Sequence, residues 1–116
     1  MNAPQDVDLA ELTAKAKEAE RFLKALANGH RLMILCELHK GESAVTPLQQ
    51  KLQLSQASAS QHLARLRLDG LVKTRRESQT IHYRLASDDV ARAVELLYEM
   101  FCGADAAKPA PRKAAK

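Results

Sequence analysis

Apolar positions at helical spacing dominate the first third of the chain. They recur at positions 9, 12, 16, 19, 22, 23 and 26, a stripe that predicts an amphipathic helix beginning at Leu9. Asn28 and Gly29 interrupt this stripe and predict the end of the helix. A second helix is predicted over residues 30–39, with Gly41 as its left-handed cap.

The middle of the chain predicts two further helices joined by a very short turn. Thr46 and Pro47 are typical of an N-cap followed by proline at the first helical position. Ser55 is the predicted N-cap of a longer helix that runs to about residue 69 and stops at Gly70. Two helices joined so closely form a helix-turn-helix.

After Gly70 the spacing of apolar residues changes from helical to alternating. Residues 71–76 and 80–85 each alternate roughly, and three polar residues separate them, which predicts a two-stranded hairpin with a basic tip. Ser87 is the predicted cap of a last helix that ends at Gly103. The predicted order is α-α-α-α-β-β-α, a mainly helical winged helix-turn-helix with a small β-hairpin wing.

The chain of 116 residues is long enough for one domain, which we predict over residues 8–103. Residues 1–7 are predicted to be a flexible leader. Residues 104–116, rich in alanine, proline and lysine, are predicted to be a basic, disordered tail. The longest unbroken apolar run, residues 32–36, is too short to span a membrane, and the acidic N-terminus does not resemble a secretory signal. These features predict a cytoplasmic protein with no membrane partner.

Positive charge is concentrated in the predicted helix-turn-helix and hairpin. The whole chain carries a formal charge of +4, and residues 55–85 alone hold six basic and two acidic residues. A basic cluster in an ordered segment favours a polyanion such as DNA, although a solvated charged face gives the same composition.

The second helix of a helix-turn-helix lies in the major groove with its N-terminal residues at the base edges. Here that helix begins with small and amide side chains, and glutamine pairs well with adenine. An ordinary exposed helix surface is the alternative. The predicted DNA-binding residues of the helix are Gln56, Ser58, Ser60, Gln61, His62 and Arg65. Those of the hairpin, on phosphates or in the minor groove, are Arg75, Arg76, Gln79, His82 and Arg84.

Three segments of the chain resemble the ArsR/SmtB repressors: LKALANGHRLMIL at 23–35, LSQASASQHLARL at 54–66 and Gly70-Leu71-Val72 followed by Arg75-Arg76. The resemblance spans roughly residues 9–102. It implies a homodimer built from the first and last helices, with two winged helix-turn-helix units on a palindromic double-stranded operator. It also implies repression that ends when an inducer binds.

The residues do not match the metal sites of that family. The arsenic-type site resembles Cys-x-Cys near the start of the third helix, and residues 42–47 contain no cysteine. The zinc-type site resembles Asp-x-His near the start of the last helix, where this chain has Asp89 followed by Ala91. Cys102 and Asp105 stand near its far end without an imidazole. No metal or other cofactor is predicted.

Two cysteines remain as candidate sensor residues. Cys36, in ILCEL at 34–38, and Cys102, in LYEMFC at 97–102, are similar to those of the BigR/SqrR subgroup. The resemblance implies that a reactive sulfur species, a persulfide, joins the two thiols within one protomer and releases the protein from DNA. Either cysteine alone is equally typical of a small core residue. His30 or His39 is a candidate to assist Cys36.

Other functions stay open at this point. The chain is alternatively a metal-responsive repressor, with Cys102 pairing with Asp89 or Asp105 across a dimer, or a general redox repressor that forms a disulfide. A nonspecific architectural DNA-binding protein has a similar charge distribution. A thiol hydrolase is not supported, because no nucleophile–base pair in a familiar setting and no glycine-rich loop is present; we predict no enzyme.

Overall fold

The computed structural model describes residues 8–103, so the predicted leader and tail lie outside the described residues. Helix α1 (Leu9–Leu26) and helix α2 (Gly29–Lys40) form where the first two apolar stripes predict them. Asn28 does more than interrupt the first helix, because its side chain accepts a hydrogen bond from the Arg31 N–H and caps α2. Gly41 follows α2 in a nearly extended conformation, with φ 159° and ψ 165°, instead of the predicted left-handed one.

The helix-turn-helix consists of α3 (Val45–Leu52) and α4 (Gln56–Leu68). The predicted start of α3 is wrong: its N-cap is Ala44, and Pro47 is the third helical residue. Proline is tolerated there because the N–H groups of the first turn have no partner within the helix. Gln53 adopts a left-handed conformation in the turn, with φ 57° and ψ 45°. Ser55 caps α4 as predicted by accepting from the Ser58 N–H at 3.0 Å.

The predicted hairpin forms the wing, and a third strand that was not predicted extends it to a three-stranded antiparallel sheet. Strands β2 (Val72–Glu77) and β3 (Thr80–Leu85) form the hairpin, and a two-residue strand β1 (Ser43–Ala44) pairs with the other edge of β3. Ser43 lies opposite Tyr83 in this register. Ser78, with φ 60°, supplies the left-handed residue of the tight turn.

Helix α5 (Asp88–Cys102) completes the fold and is capped by Ser87, whose side chain accepts from the Val90 N–H at 3.2 Å. Helix α2 lies at the centre and packs against α1, α3, α4, α5 and β3. Ala25 of α1 and Leu48 of α3 belong to the same aliphatic core, whose largest fully buried side chains are Ile34, Leu35, Leu63, Leu66, Leu71 and Val94. The predicted winged helix-turn-helix is confirmed. None of the helices within residues 8–103 is long and apolar enough to cross a bilayer.

Candidate DNA-binding surface and dithiol groove

Helix α4 is anchored by apolar side chains on one face and exposed on the other. Ala59, Leu63 and Leu66 are buried in the core. The predicted reading residues lie on the remaining surface, where Gln56, Ser60, Gln61 and Arg65 are exposed and Ser58 and His62 are half-buried. The core therefore fixes the helix while its small and amide side chains stay accessible.

Arg65 is less free than its exposure indicates. Its Nε donates to Asp69 Oδ2 at 2.7 Å, and Arg21 of α1 approaches the other carboxylate oxygen at 3.4 Å. The hydrogen bond from Arg65, supported by the one from Arg21, lowers the pKa of Asp69 and outweighs the opposing effect of burial. Arg65 thus joins the end of α4 to α1 through a shared carboxylate.

The register of the hairpin assigns its basic residues to two faces. Arg75 lies opposite His82 and Lys73 lies opposite Arg84, so these four side chains share one face. Arg76 lies opposite Ile81 on the other face, beyond the buried part of the sheet, and its Nε donates to the Ser78 carbonyl at 3.1 Å. The last predicted contact, Gln79, is exposed in the tip turn.

Arg75 is held by a carboxylate that the sequence did not indicate. Its Nε donates to both oxygens of Glu42, at 2.8 and 2.9 Å, and Nη2 lies 2.8 Å from Oε1. This two-point pairing raises the pKa of Arg75 and lowers the pKa of Glu42, which the charges of His82 and Arg84 lower further. The pair ties the wing to the segment between α2 and β1.

The two cysteines line one groove between α2 and α5. The groove has a volume of about 430 Å³, and both thiols are free. Cys36 is half-buried, whereas Cys102, the last residue of α5, is exposed. The remaining lining residues are mainly apolar: Leu32, Met33, Glu37, Leu52, Leu97, Tyr98 and Phe101.

The surroundings of Cys36 favour its protonated form. Burial raises the pKa of the Cys36 thiol first, and the nearby negative charges of Cys102 and Glu37 raise it further against the opposing effect of Lys40. Both cysteines line the same groove, so a negative charge on one thiol opposes ionisation of the other. Neither candidate histidine contributes to this pKa, and His30 lies instead against His62.

Among residues 8–103, no group of three or more histidine, cysteine, aspartate or glutamate side chains is placed to hold a metal ion. Asp89 lies at the opposite end of α5 from Cys102, about 20 Å along the helix axis at 1.5 Å per residue. Asp89 and Cys102 of one protomer are therefore too far apart to bind the same metal ion. Asp105, the other candidate, is outside the described residues.

Helices α1 and α5 expose several large apolar side chains that are not covered within residues 8–103. Leu9 and Leu23 of α1 are 75% and 60% exposed, and Leu96 and Phe101 of α5 are 56% and 73% exposed. Exposed apolar side chains on this scale mark interaction surfaces in soluble proteins. These are the first and last helices of the chain, from which the family resemblance implies that the homodimer is built.

The chain is similar to known bacterial regulators over most of its length. The sequence model described as "Bacterial regulatory protein, arsR family" matches residues 28–74. The "Transcriptional activator HlyU" of Vibrio cholerae is 46% identical over 99 residues, covering 85% of this chain and 92% of that protein. The structure titled "Reduced HlyU from Vibrio cholerae N16961" aligns with a TM-score of 0.76 and 48% identity, over 81% of this chain and 99% of that one.

Two further relatives bear on regulation and assembly. The "Biofilm growth-associated repressor" of Agrobacterium fabrum is 44% identical over 97 residues, covering 84% of this chain and 83% of that protein. A homodimeric winged helix-turn-helix DNA-binding domain of Mycobacterium bovis aligns with a TM-score of 0.74 and 37% identity, over 81% of this chain and 87% of that one. The chain therefore belongs to the arsR family of bacterial regulatory proteins.

Proposed function

We propose that this regulator is a homodimeric repressor that binds a palindromic operator and leaves it when sulfane sulfur links Cys36 to Cys102. The observation that carries the sensing step is the shared groove, because two residues far apart in sequence present both thiols of the chain to one space. A relative named as a repressor and another described as homodimeric support the remainder.

DNA reading is assigned to α4 and the wing. The first turns of α4 carry Gln56 and Gln61 on an exposed face, and glutamine suits adenine in the major groove. Arg76 and Arg84 are exposed basic residues of the wing and are assigned to the phosphates beside that groove. Arg75 is assigned a positioning role, since Glu42 already occupies its guanidinium.

Dimerisation is assigned to the uncovered faces of α1 and α5. Within the described residues, helix α1 buries only Ala25 and Leu26 fully, and most of its other side chains are exposed. A second copy would remove Leu9, Leu23 and Leu96 from water. Two-fold symmetry then presents two copies of α4 to half-sites about 10 bp apart or a multiple of that distance.

The switch uses persulfide chemistry that balances without another oxidant. Cys102, the exposed thiol, attacks the terminal sulfur of a hydropersulfide RSSH as its thiolate, which gives a protein persulfide and RSH. A second RSSH extends this group by one sulfur and releases a second RSH. Cys36, once deprotonated, then attacks the middle sulfur and expels HS⁻, leaving a trisulfide. Two protein thiols and two RSSH thus give one trisulfide, two RSH and one H₂S.

The length of the bridge sets its selectivity. A direct disulfide requires Cα atoms within about 7 Å, and each inserted sulfur extends the reach by about 2 Å. A pair slightly too far apart for a disulfide accepts a polysulfide and resists simple oxidation. We expect glutathione persulfide to induce release at concentrations at which glutathione disulfide and peroxide do not.

Single cysteine variants test this function. Cys36→Ser and Cys102→Ser are expected to bind a promoter duplex as tightly as the unchanged reduced protein, and neither is expected to leave it on treatment with persulfide. Cys36→Ser also leaves the fold intact, because serine keeps the small volume at a half-buried position. Release of both variants by persulfide would refute the dithiol switch. Release by zinc alone would instead indicate a metal-responsive repressor.

A further inference from the structure

Two histidines face each other at the edge of the proposed DNA-reading helix. His30 is the second residue of α2, His62 lies in α4, and their ring centroids are 5.5 Å apart with 48° between the ring planes. His30 is exposed and His62 is half-buried. No hydrogen bond among residues 8–103 joins the two imidazoles or uses either of them. Their nitrogen atoms are available to an external group.

The charges around this pair are positive. The pKa of His62 is lowered by burial first and then by the positive charges of His30 and Arg31. Arg31 is anchored to the end of α1, since its Nε donates to the Ala25 carbonyl at 2.7 Å and Nη2 donates to the Lys24 carbonyl at 3.0 Å. Helix α3 and strand β2 also pack against α4, but no charged group from either acts on His62.

Carboxylates do not compensate this positive cluster within the described chain. The salt bridges of residues 8–103 include none to His30 or His62. Arg65, one turn along α4 from His62, is paired with Asp69. By contrast, the imidazole of His82 in the wing has Glu77 Oε1 at 3.4 Å. His30 and His62 therefore have no carboxylate partner among the described residues, whereas His82 has Glu77.

The position of the pair relative to α4 indicates which anion it meets. Ala57, Gln61 and Ala64 form the exposed stripe of the helix, and Leu63 lies on the buried side. His62 lies between stripe and core, on the flank that faces α2. When the stripe of a recognition helix meets base edges, its flanks lie along the walls of the groove, where the phosphates are.

We propose that His30 and His62 together bind one phosphate of the operator backbone and take up a proton when they do so. This inference rests on the proposed operator binding. In the free protein the lowered pKa keeps His62 neutral near pH 7.5. A phosphate within hydrogen-bond reach of both rings favours the charged imidazole and raises that pKa on DNA. Operator affinity therefore increases as the pH falls towards 6.

Binding titrations at several pH values test the proposal. The probe is a fluorescent duplex that contains the footprinted site from the regulated promoter, at constant ionic strength and pH 7.5, 6.8 and 6.0. The unchanged protein is expected to bind about three- to tenfold tighter at pH 6.0 than at pH 7.5. The double variant His30→Gln/His62→Gln is expected to lose most of this gain, and its salt dependence at pH 6.0 is expected to fall by about one released ion.

The other two histidines of the chain provide matched controls. The chain has four histidines in all, and His39→Gln, at an exposed position without an assigned DNA contact, is expected to retain the pH dependence. His82→Gln separates any contribution of the wing, where His82 is a predicted DNA contact, from that of the pair. The single variant His30→Gln, at an exposed position, tests the pair without disturbing the core. An equal pH dependence in the double variant, or one that disappears only in His82→Gln, overturns the phosphate site while operator binding stands. Absence of specific binding at every pH overturns the proposed function as well.

Discussion

The first turn of α4 depends on one side-chain hydrogen bond, from the Ser58 N–H to Ser55 Oγ at 3.0 Å. Replacing this cap, as in Ser55→Ala, leaves the N–H without a partner and costs about 1 kcal/mol of helix stability. That free energy reduces the fraction of protomers with an ordered first turn by up to about fivefold. Because this turn carries Gln56, which we assign to the bases, operator affinity is expected to decrease.

The size of the decrease follows from the symmetry of the complex. Both reading helices of a dimer must be ordered on the operator, so the loss lies between about fivefold and about 25-fold if the two penalties multiply. Fluorescence anisotropy titrations at fixed salt concentration measure the affinity, and urea unfolding measures the free energy of unfolding. Ser55→Asn, which keeps a capping oxygen, is expected to restore most of both.

A second serine cap offers a matched control. Ser87 accepts from the Val90 N–H at 3.2 Å and caps α5 in the same way. Ser87→Ala is expected to lose about 1 kcal/mol of stability and to change operator affinity less than twofold, because the first turn of α5 carries no residue assigned to DNA. Equal operator affinities for Ser55→Ala and Ser87→Ala at equal stability loss would refute the assignment of α4 as the reading helix.

Three other contacts give direct predictions. Glu42→Gln and Arg75→Gln are each expected to weaken operator binding several-fold without changing the dependence of the affinity on salt concentration. The double variant is expected to bind no more weakly than either single variant, because both remove the same ion pair. A salt-dependence slope reduced by about one in Arg75→Gln alone would show a phosphate contact instead. Asp69 has a lowered pKa, so its stabilising contribution is present above the pKa of the unfolded chain, about 3.8, and is lost as the pH falls further. In an acid titration followed by circular dichroism, the stability of Asp69→Asn is therefore expected to depend less steeply on pH than that of the unchanged protein. Identical unfolding profiles of the two proteins would contradict this. Iodoacetamide at pH 7 is expected to alkylate Cys102 before Cys36, because the Cys36 pKa is raised and its side chain is half-buried; peptide mass mapping would show the reverse order if this is wrong.

Features defined by near neighbours in sequence were predictable. Ser55 and Ser87 were identified as caps because a cap and its N–H partner lie only three positions apart. The start of α3 was not predictable from near neighbours. The chain enters this helix directly from strand β1, and the pairing of β1 with β3 depends on residues far along the chain. Thr46 and Pro47 fit inside the first turn, so the local pattern was real but its position was shifted.

The site shows the same division between local and distant contacts. Exposure of Gln56 and Gln61 follows from the leucine face of α4 and was predictable from its spacing. The pairing of Glu42 with Arg75 spans 33 positions, and neither residue's neighbours carry a signal for it. The sequence around each cysteine is likewise typical of a small core residue and does not indicate a sensor. Packing of α5 on α2 brings Cys36 and Cys102 to one groove, and before the structure only the family resemblance linked them.

Operation of the dithiol switch depends on the product formed by the two thiols and on its effect on DNA binding. Its most direct test is intact mass spectrometry and operator titration on the same anaerobic sample after treatment with glutathione persulfide. The dithiol switch predicts a protomer that gains sulfur and loses two hydrogens, a cross-link that peptide mapping places between Cys36 and Cys102, and a parallel loss of operator affinity. An unchanged mass, or a cross-linked protein that still binds the operator at full affinity, would contradict it.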